Sequence, residues 1–207
     1  MKETPVSVLN PEGKAPLLLV SDHASNHIPD DYGDLGLNRD QLNSHVAYDI
    51  GAKGLVTRLS VLLDAPAIVA NFSRLLIDPN RAPGQLGLIV EESDGLVIPD
   101  NKFLDQRERD QRIDRFYKPF HRAISNLIDS RIDAGQSLAL VSLHSFTPVL
   151  QNQKPRPWHL GFMWNKDDRL AQSIMNNLSE DQALIIGENE PYSGEFLFYT
   201  MRHHGEE

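Results

Sequence analysis

Short apolar runs alternate with longer amphipathic stretches along this chain, which is the pattern of an α/β protein. Three apolar runs, at residues 15–20, 67–70 and 138–143, predict buried strands, because each is nearly continuous and ends in polar or turn-forming residues. The weaker strand candidates are shorter or less uniform, and they lie at residues 75–77, 158–164 and 183–187. Shortly after the first and third runs comes a histidine.

Apolar residues at helical spacing predict amphipathic helices over residues 42–63, 105–134 and 167–180. Pro119 lies inside the second of these and is expected to kink it. Residues 82–101 are rich in glycine, proline and aspartate and predict a long surface loop. Together these elements predict a three-layer α/β fold with a mostly parallel or mixed central sheet and helices on both faces.

The length of 207 residues favours a single domain over residues 1–207. With 20 Lys+Arg against 29 Asp+Glu, the formal net charge is -9, so nucleic acid and anionic membranes are unfavourable partners. The absence of a long apolar run and of a signal-peptide pattern at the N-terminus indicates a cytoplasmic protein that does not bind membranes. The chain has no cysteine. Any chemistry must therefore be carried by histidine, carboxylate and serine side chains.

Polar residues that follow strands are the first candidates for a site, because ligands collect at the carboxyl ends of strands in α/β sheets. His23 and His144 each follow a predicted strand. Two imidazoles suit a divalent metal, most of all zinc, whose third protein ligand is commonly a carboxylate. Asp49, in the segment HVAYDIGA near the start of the helix predicted over residues 42–63, is the candidate carboxylate. Either histidine alone is more often a structural hydrogen-bonding residue, and it is the combination that favours a metal site.

Arg74 and Arg81 flank the apolar residues 75–77 and are expected on opposite sides of a short strand. A guanidinium group can hold a carboxylate through two parallel hydrogen bonds, so either arginine could bind an acidic substrate or an oxyanion. The alternative is an ordinary salt bridge to Asp78, which lies between them in the sequence.

Several motifs occur in a fixed order from about residue 17 to the C-terminus: SDHASNHIP, HVAYDIGA, NFSRLLIDPNRAPG, SLHSFTPVL, RPWHLGFMWN and ENEPYSG. In this order the chain resembles the N-formylglutamate amidohydrolase family, which shares the zinc carboxypeptidase fold. The resemblance implies that His23 and His144 bind the metal and that Arg74 polarises the scissile carbonyl. Asn80 and Arg81 would hold the substrate carboxylate, and Ser145 is assigned to the same substrate site.

The third metal ligand departs from the carboxypeptidase pattern. Carboxypeptidases place a carboxylate three residues after the first histidine, and this chain has Asn26 there. Asp49 is the preferred replacement, Asp22 is the second choice, and Asn26 acting through a bridging water is the third.

The general base also departs from the pattern, because the resemblance places a glutamate beyond His204-Gly205, on a late strand. The sequence stops at Glu207, so the chain either lacks the family's C-terminal strand region or uses another carboxylate. Glu190 and Glu195 are the candidates, although a solvated loop charge is the more common role for such residues. A missing strand would leave an unpaired sheet edge and favour a homo-oligomer.

The resemblance therefore implies a metal-dependent hydrolase that cleaves the amide of an N-formyl or N-acyl acidic amino acid such as N-formylglutamate, releasing formate and the amino acid. The alternative is a degenerate, non-catalytic binding protein that retains the metal and the carboxylate pocket.

Overall fold

The computed structural model describes residues 4–194 and 198–205. The chain divides into two compact units, Met1–Phe146 with Tyr199–Glu207 as the first and Thr147–Phe198 as the second. Within the described residues, no helix is long and apolar enough to cross a membrane.

Among the residues described for the first unit, there are six strands and five α-helices. The strands are β1 (Val6–Leu9), β2 (Leu17–Ser21), β3 (Ala67–Ala70), β4 (Glu92–Ser93), β5 (Leu96–Val97) and β6 (Ala139–Ser142). The helices are α1 (Arg39–Leu42), α2 (Ala52–Leu62), α3 (Gln106–Arg112), α4 (Lys118–Asp133) and α6 (Tyr199–Gly205). The second unit contains β7 (Leu160–Phe162), α5 (Arg169–Leu178) and β8 (Ile186–Glu188), and its two strands pair in parallel.

The central sheet has the strand order β1-β3-β2-β6. β2 runs parallel to both β3 and β6, whereas β1 pairs antiparallel with β3. The expectation of a mixed sheet is therefore confirmed. Because β2 and β6 are parallel neighbours, with Val20 opposite Ser142, the residues that follow them emerge at the same edge of the sheet.

Residues on the two faces of the sheet join two separate hydrophobic clusters. Leu18 and Ile68 pack in a cluster with Phe120 of α4, whereas Leu19 and Val56 of α2 pack in the other. Successive strand residues point to opposite faces, so the alternation along β2 places helices on both sides of the sheet. This arrangement is the predicted three-layer packing.

The helix predicted over residues 42–63 is broken. α1 ends at Leu42 and α2 begins at Ala52, after Gly51, whose φ of 86° lies in the left-handed region. Glycine adopts this conformation without steric cost, so the chain can turn sharply into α2. In the intervening segment the backbone N–H of Asp49 donates to the carbonyl of His23 at 2.8 Å. The break therefore holds Asp49 beside the end of β2.

The strand predicted at residues 75–77 is wrong, because this segment is a buried turn. The hydroxyl and carbonyl oxygens of Ser73 accept the backbone N–H groups of Leu75 and Leu76, at 3.1 and 3.0 Å. The apolar side chains pack in the core without any ladder partner, and a short apolar run cannot distinguish this from a strand. Arg74 and Arg81 therefore flank a turn.

The predicted helix over residues 105–134 forms, with one irregular turn. A π-helical turn, Ile113–Tyr117, joins α3 to α4, and Pro119 lies in the first turn of α4. Proline has no N–H and its ring crowds the preceding turn, so regular α-helical bonding is interrupted where the kink was expected. The predicted loop over residues 82–101 is mostly irregular and contains the short β4–β5 hairpin.

Candidate metal centre

Two histidines and one aspartate converge at the carboxyl end of the central sheet. His23 follows β2 and His144 follows β6, and their ring centroids are 5.0 Å apart. Asp49 reaches them from the segment before α2. One ligand-type atom from each of the three side chains lies within 4.8 Å of the other two, which is close enough to surround one metal ion. The structure therefore brings together the three residues predicted as metal ligands.

The imidazole of His23 is oriented by Asp78. Its Nε2 lies 2.7 Å from Oδ1 of Asp78, while its Nδ1 lies 3.7 Å from Oδ1 of Asp49. Within the described chain, Nδ1 is buried and has no hydrogen-bond partner. A buried polar atom without a partner costs about 1–3 kcal/mol, so such an atom calls for an explanation. With the Nε2 proton donated to Asp78, Nδ1 carries the free lone pair that a metal ligand requires.

The imidazole of His144 has the same orientation. Its Nε2 lies 3.2 Å from Oδ2 of Asp22 and 3.0 Å from the hydroxyl of Ser142, and its Nδ1 lies 2.8 Å from Oδ2 of Asp49. Burial alone would lower the pKa of His144, but the contacts with Asp22 and Asp49 raise it to about 10. Both histidines thus place Nε2 on an outer carboxylate and Nδ1 towards Asp49, as imidazoles in metal sites do.

Three buried carboxylates surround the two imidazoles. Burial alone would raise the pKa values of Asp22, Asp49 and Asp78. His144 and His23 beside Asp22 and Asp49, and His23 and Arg74 beside Asp78, hold the pKa of all three below the ordinary value. The carboxylates therefore remain charged at neutral pH. This concentration of negative charge, together with nitrogen and oxygen donors, favours a divalent cation.

Arg74 lies beside the centre and contacts two of its carboxylates. One guanidinium nitrogen donates to Oδ2 of Asp78 at 3.2 Å, and the other lies 3.8 Å from Oδ1 of Asp49. The salt bridge to Asp78 considered for this residue is thus present. The side chain is 28% exposed, so the guanidinium is also accessible beside the metal centre.

The predicted substrate residues Asn80 and Arg81 differ in their surroundings. Asn80 is buried, and its side-chain carbonyl oxygen accepts the backbone N–H of Thr200 at 3.2 Å. A carboxylate would therefore have to bind the amide N–H groups of Asn80. Arg81 is half-buried, and its guanidinium makes a long hydrogen bond of 3.4 Å to the carbonyl of Asn80.

Ser145 is half-buried, and its backbone N–H donates to Oδ2 of Asp49 at 3.2 Å. It therefore supports the candidate carboxylate ligand.

The two alternative third ligands are occupied elsewhere. The side-chain amide of Asn26 donates to the carbonyl of Leu42 at 3.0 Å and to Oδ1 of Asn43 at 2.9 Å. The oxygens of Asp22 contact Ser142 and His144 on one side and Thr200 on the other. Asp49 is thus the carboxylate that the structure brings to the two histidine Nδ1 atoms.

Glu190 belongs to the second unit and lies two residues after the end of β8, before Pro191. Glu195 lies outside the described residues. The assignment of the general base therefore stays a prediction.

Sequence reasoning missed two groups that complete the centre. It treated Asp78 only as a salt-bridge partner, although this residue directly follows a buried apolar run and so had the same signal as His23. It did not consider Thr200, which has no recognisable local signal.

Residues 15–207 match the model of the N-formylglutamate amidohydrolase family. The chain belongs to that family. The resemblance seen in the sequence motifs is thereby confirmed, and with it the assignment to a family of hydrolases. No curated protein matches the chain significantly.

Two solved structures show the same fold as this member of the family. The gene product Atu2144 of Agrobacterium tumefaciens is 37% identical, with a TM-score of 0.93, over 98% of this chain and 80% of that chain. An N-formylglutamate amidohydrolase from Ralstonia eutropha JMP134 is 23% identical, with a TM-score of 0.73, over 92% of this chain and 78% of that chain. These similarities support the α/β fold with its mixed sheet.

Proposed function

We propose that this protein is a metal-dependent amidohydrolase. Its substrate is an N-formyl or N-acyl acidic amino acid such as N-formylglutamate, and its products are formate (or the corresponding acid) and the free amino acid. Family membership supports the reaction class. The observation that carries the metal dependence is the buried, unpartnered Nδ1 of His23, which lies in a cluster with Asp49 and His144.

His23, Asp49 and His144 would hold the ion. Two imidazoles and one carboxylate are the donor set of many catalytic zinc sites, which leave one position open. A bound zinc ion supplies Lewis acidity that polarises a carbonyl and activates water. The protein contributes the orientation of the two imidazoles, through Asp22 and Asp78.

Arg74 would stabilise the negative charge that develops on the scissile carbonyl oxygen. Its guanidinium lies against Asp78 and near Asp49, is partly accessible, and carries a positive charge. A fixed positive group at this place needs little reorganisation during the reaction. Its contact with Asp78 keeps the guanidinium in place.

Recognition of the acidic substrate would use other groups. Arg81 can hold a carboxylate through two hydrogen bonds, with help from the amide N–H groups of Asn80 and from Ser145. Recognition and chemistry then use separate positive charges, so the two can be tested independently.

The test is formate release from N-formylglutamate by the purified chain, with added zinc and with a chelator. We expect turnover that the chelator abolishes and zinc restores. N-formylleucine, which has the same formyl group without the side-chain carboxylate, should be a much poorer substrate. Zinc and N-formylglutamate binding without turnover would instead indicate the degenerate binding protein, and turnover that survives complete removal of metal would contradict the metal dependence.

A further inference from the structure

The carboxylate that orients His144 is itself held from the far end of the chain. Asp22 is fully buried, and its Oδ2 lies 3.2 Å from Nε2 of His144. Its Oδ1 accepts the hydroxyl of Thr200 at 2.9 Å. Each oxygen of this buried carboxylate thus has a donor, and the hydroxyl of Thr200 occupies the oxygen that does not face the histidine.

The same residue reaches the carboxylate that orients His23. The backbone N–H of Thr200 donates to Oδ1 of Asn80 at 3.2 Å, and the backbone N–H of Asn80 donates to Oδ1 of Asp78 at 2.9 Å. Oδ1 of Asp78 lies 2.7 Å from Nε2 of His23. One residue therefore connects both outer carboxylates, through its hydroxyl on one side and its backbone on the other.

Thr200 is suited to this role by its place in a helix. It lies in the first turn of α6, where backbone N–H groups have no partner within the helix and are available to other acceptors. Its side chain is fully buried, so water does not compete for the two hydrogen bonds. Loss of the hydroxyl would leave Oδ1 of Asp22 buried without this donor, and the carboxylate would be free to rotate away from His144.

We infer that Thr200 is a positioning residue, which fixes the orientation of the two metal-binding imidazoles through Asp22 and through Asn80. The inference rests on the proposed metal centre. It predicts that removal of the Thr200 hydroxyl alone, although this residue is distant from the ligands in the sequence, weakens metal binding.

A substitution at Thr200 should leave α6 in place, because a second contact holds this helix. Nε2 of His121 lies 2.9 Å from the carbonyl of Pro79 and must donate to it, so Nδ1 of His121 accepts the Nε2–H of His204, at 2.8 Å. His204 lies in α6 and His121 in α4. This contact does not involve the hydroxyl of Thr200.

The experiment compares four forms of the full chain: wild type, Thr200→Val, Thr200→Ser and Thr57→Val. Valine keeps the shape of threonine and removes the hydroxyl, and serine keeps the hydroxyl. Thr57 is the matched control, because it is exposed on α2 and its hydroxyl donates only to its own helix, at the carbonyl of Lys53. The measurements are the zinc dissociation constant by chelator competition, the visible absorption spectrum with Co²⁺, and thermal unfolding without metal.

We expect Thr200→Val to bind zinc about 10-fold more weakly, because the hydroxyl that it loses holds Asp22, and loss of an outer partner such as Asp22 itself weakens metal binding by about 10- to 100-fold. Its Co²⁺ spectrum at saturation should differ from that of wild type, because the ligand geometry changes. Thr200→Ser should restore both properties, and Thr57→Val should change neither.

Wild-type zinc affinity and an unchanged Co²⁺ spectrum in Thr200→Val would overturn the inference and leave the proposed function intact. Failure of the wild type itself to bind zinc would overturn both. If Thr200→Val does not fold, Thr200→Ala provides the same comparison against Thr200→Ser, because alanine is well tolerated in a helix. Loss of folding in both would show that Thr200 serves folding alone and would reject a positioning role.

Discussion

Two pairs of histidines in the described part of the first unit have their rings close together, and their ring nitrogens have different partners. In the candidate metal-site pair, His23 and His144, each Nε2 contacts a buried carboxylate. In the helix pair, His121 and His204, the rings contact each other, and His121 also donates to the carbonyl of Pro79. The two pairs therefore differ in the groups that face their ring nitrogens, although both lie in the same unit.

The pKa values show the consequence of this difference. Burial alone would lower the pKa of either kind of histidine, but the carboxylates raise that of His144 to about 10. Burial lowers the pKa of both His121 and His204 to about 4. A neighbouring imidazole further disfavours the protonated form of each ring. Burial alone does not make a histidine site, because the partner at the second ring nitrogen decides whether the ring is charged, a metal ligand or a neutral structural group.

The largest expected effect is that of His144→Ala on metal content. Loss of an outer partner weakens metal binding by up to about 100-fold, and removal of one of the three proposed ligands should weaken zinc binding further than that. His121→Ala should retain zinc, and so should His159→Ala in the second unit. Elemental analysis after dialysis measures this, and equal metal content in the His144 and His121 variants would remove the distinction between the pairs.

The next effect concerns Asp78. Asp78→Asn keeps the shape of the side chain but weakens its grip on Nε2 of His23, and we expect about 10- to 100-fold weaker zinc binding. Asp94→Asn is the matched control, because Asp94 also contacts a histidine, His45, at 2.9 Å, away from the centre. Chelator competition on both variants gives the comparison, and equal affinities would show that Asp78 does not orient His23.

Arg81 contacts the surroundings of the helix pair, since its carbonyl accepts the hydroxyl of Tyr117, whose ring is 4.3 Å from that of His121. For Arg81→Lys we expect weaker binding of an acidic ligand by about 1–3 kcal/mol, because an ammonium group cannot make the two parallel hydrogen bonds. Zinc content should not change. Calorimetry with glutamate on the zinc-loaded protein tests this, and unchanged affinity would place Arg81 outside the substrate site.

The smallest effect is on stability as a function of pH. Because the pKa of His121 falls from 6.5 to about 4 on folding, the unfolded chain binds more protons between these values. The free energy of unfolding should therefore decrease as the pH falls from about 6.5 to about 4.5, by about 1–2 kcal/mol from this residue. Urea denaturation in the presence of a chelator measures it, and His121→Gln should flatten the dependence.

His144 contributes in a different pH range. Its folded pKa is raised, so its contribution in the metal-free protein is fully present below about 6.5 and is lost as the pH rises towards 10. The contributions of His121 and His144 to the free energy of unfolding can thus be distinguished in one pH titration. A stability profile of the chelator-treated protein without a decline on the acidic side of neutral pH would contradict the account of the helix pair.

The sequence predicted the elements whose signal is local. β2, β3 and β6 are apolar runs and α2, α4 and α5 have helical periodicity, so these elements were found even where their boundaries differ. β1 is a four-residue edge strand in polar surroundings, and it forms because it pairs with β3. α6 has no apolar period, and it is held by contacts of Thr200 and His204 with distant residues.

The candidate site follows the same division. His23, Asp49 and His144 were predicted because each stands next to an element with a clear pattern. Their outer partners were not, since the contact from Thr200 to Asp22 joins residues 178 positions apart and leaves no periodicity in the sequence. Long-range hydrogen bonds between buried polar groups depend on the packed tertiary structure, which local propensity does not describe.

That separation of 178 positions also sets an order of events on the ribosome. His23 emerges early in translation and His144 much later, but the donor to Asp22 emerges only with α6. A nascent chain that already displays all three proposed ligands still lacks the hydrogen bond that holds Asp22 against His144. In the proposed centre, high-affinity metal uptake would therefore begin only after α6 has left the exit tunnel.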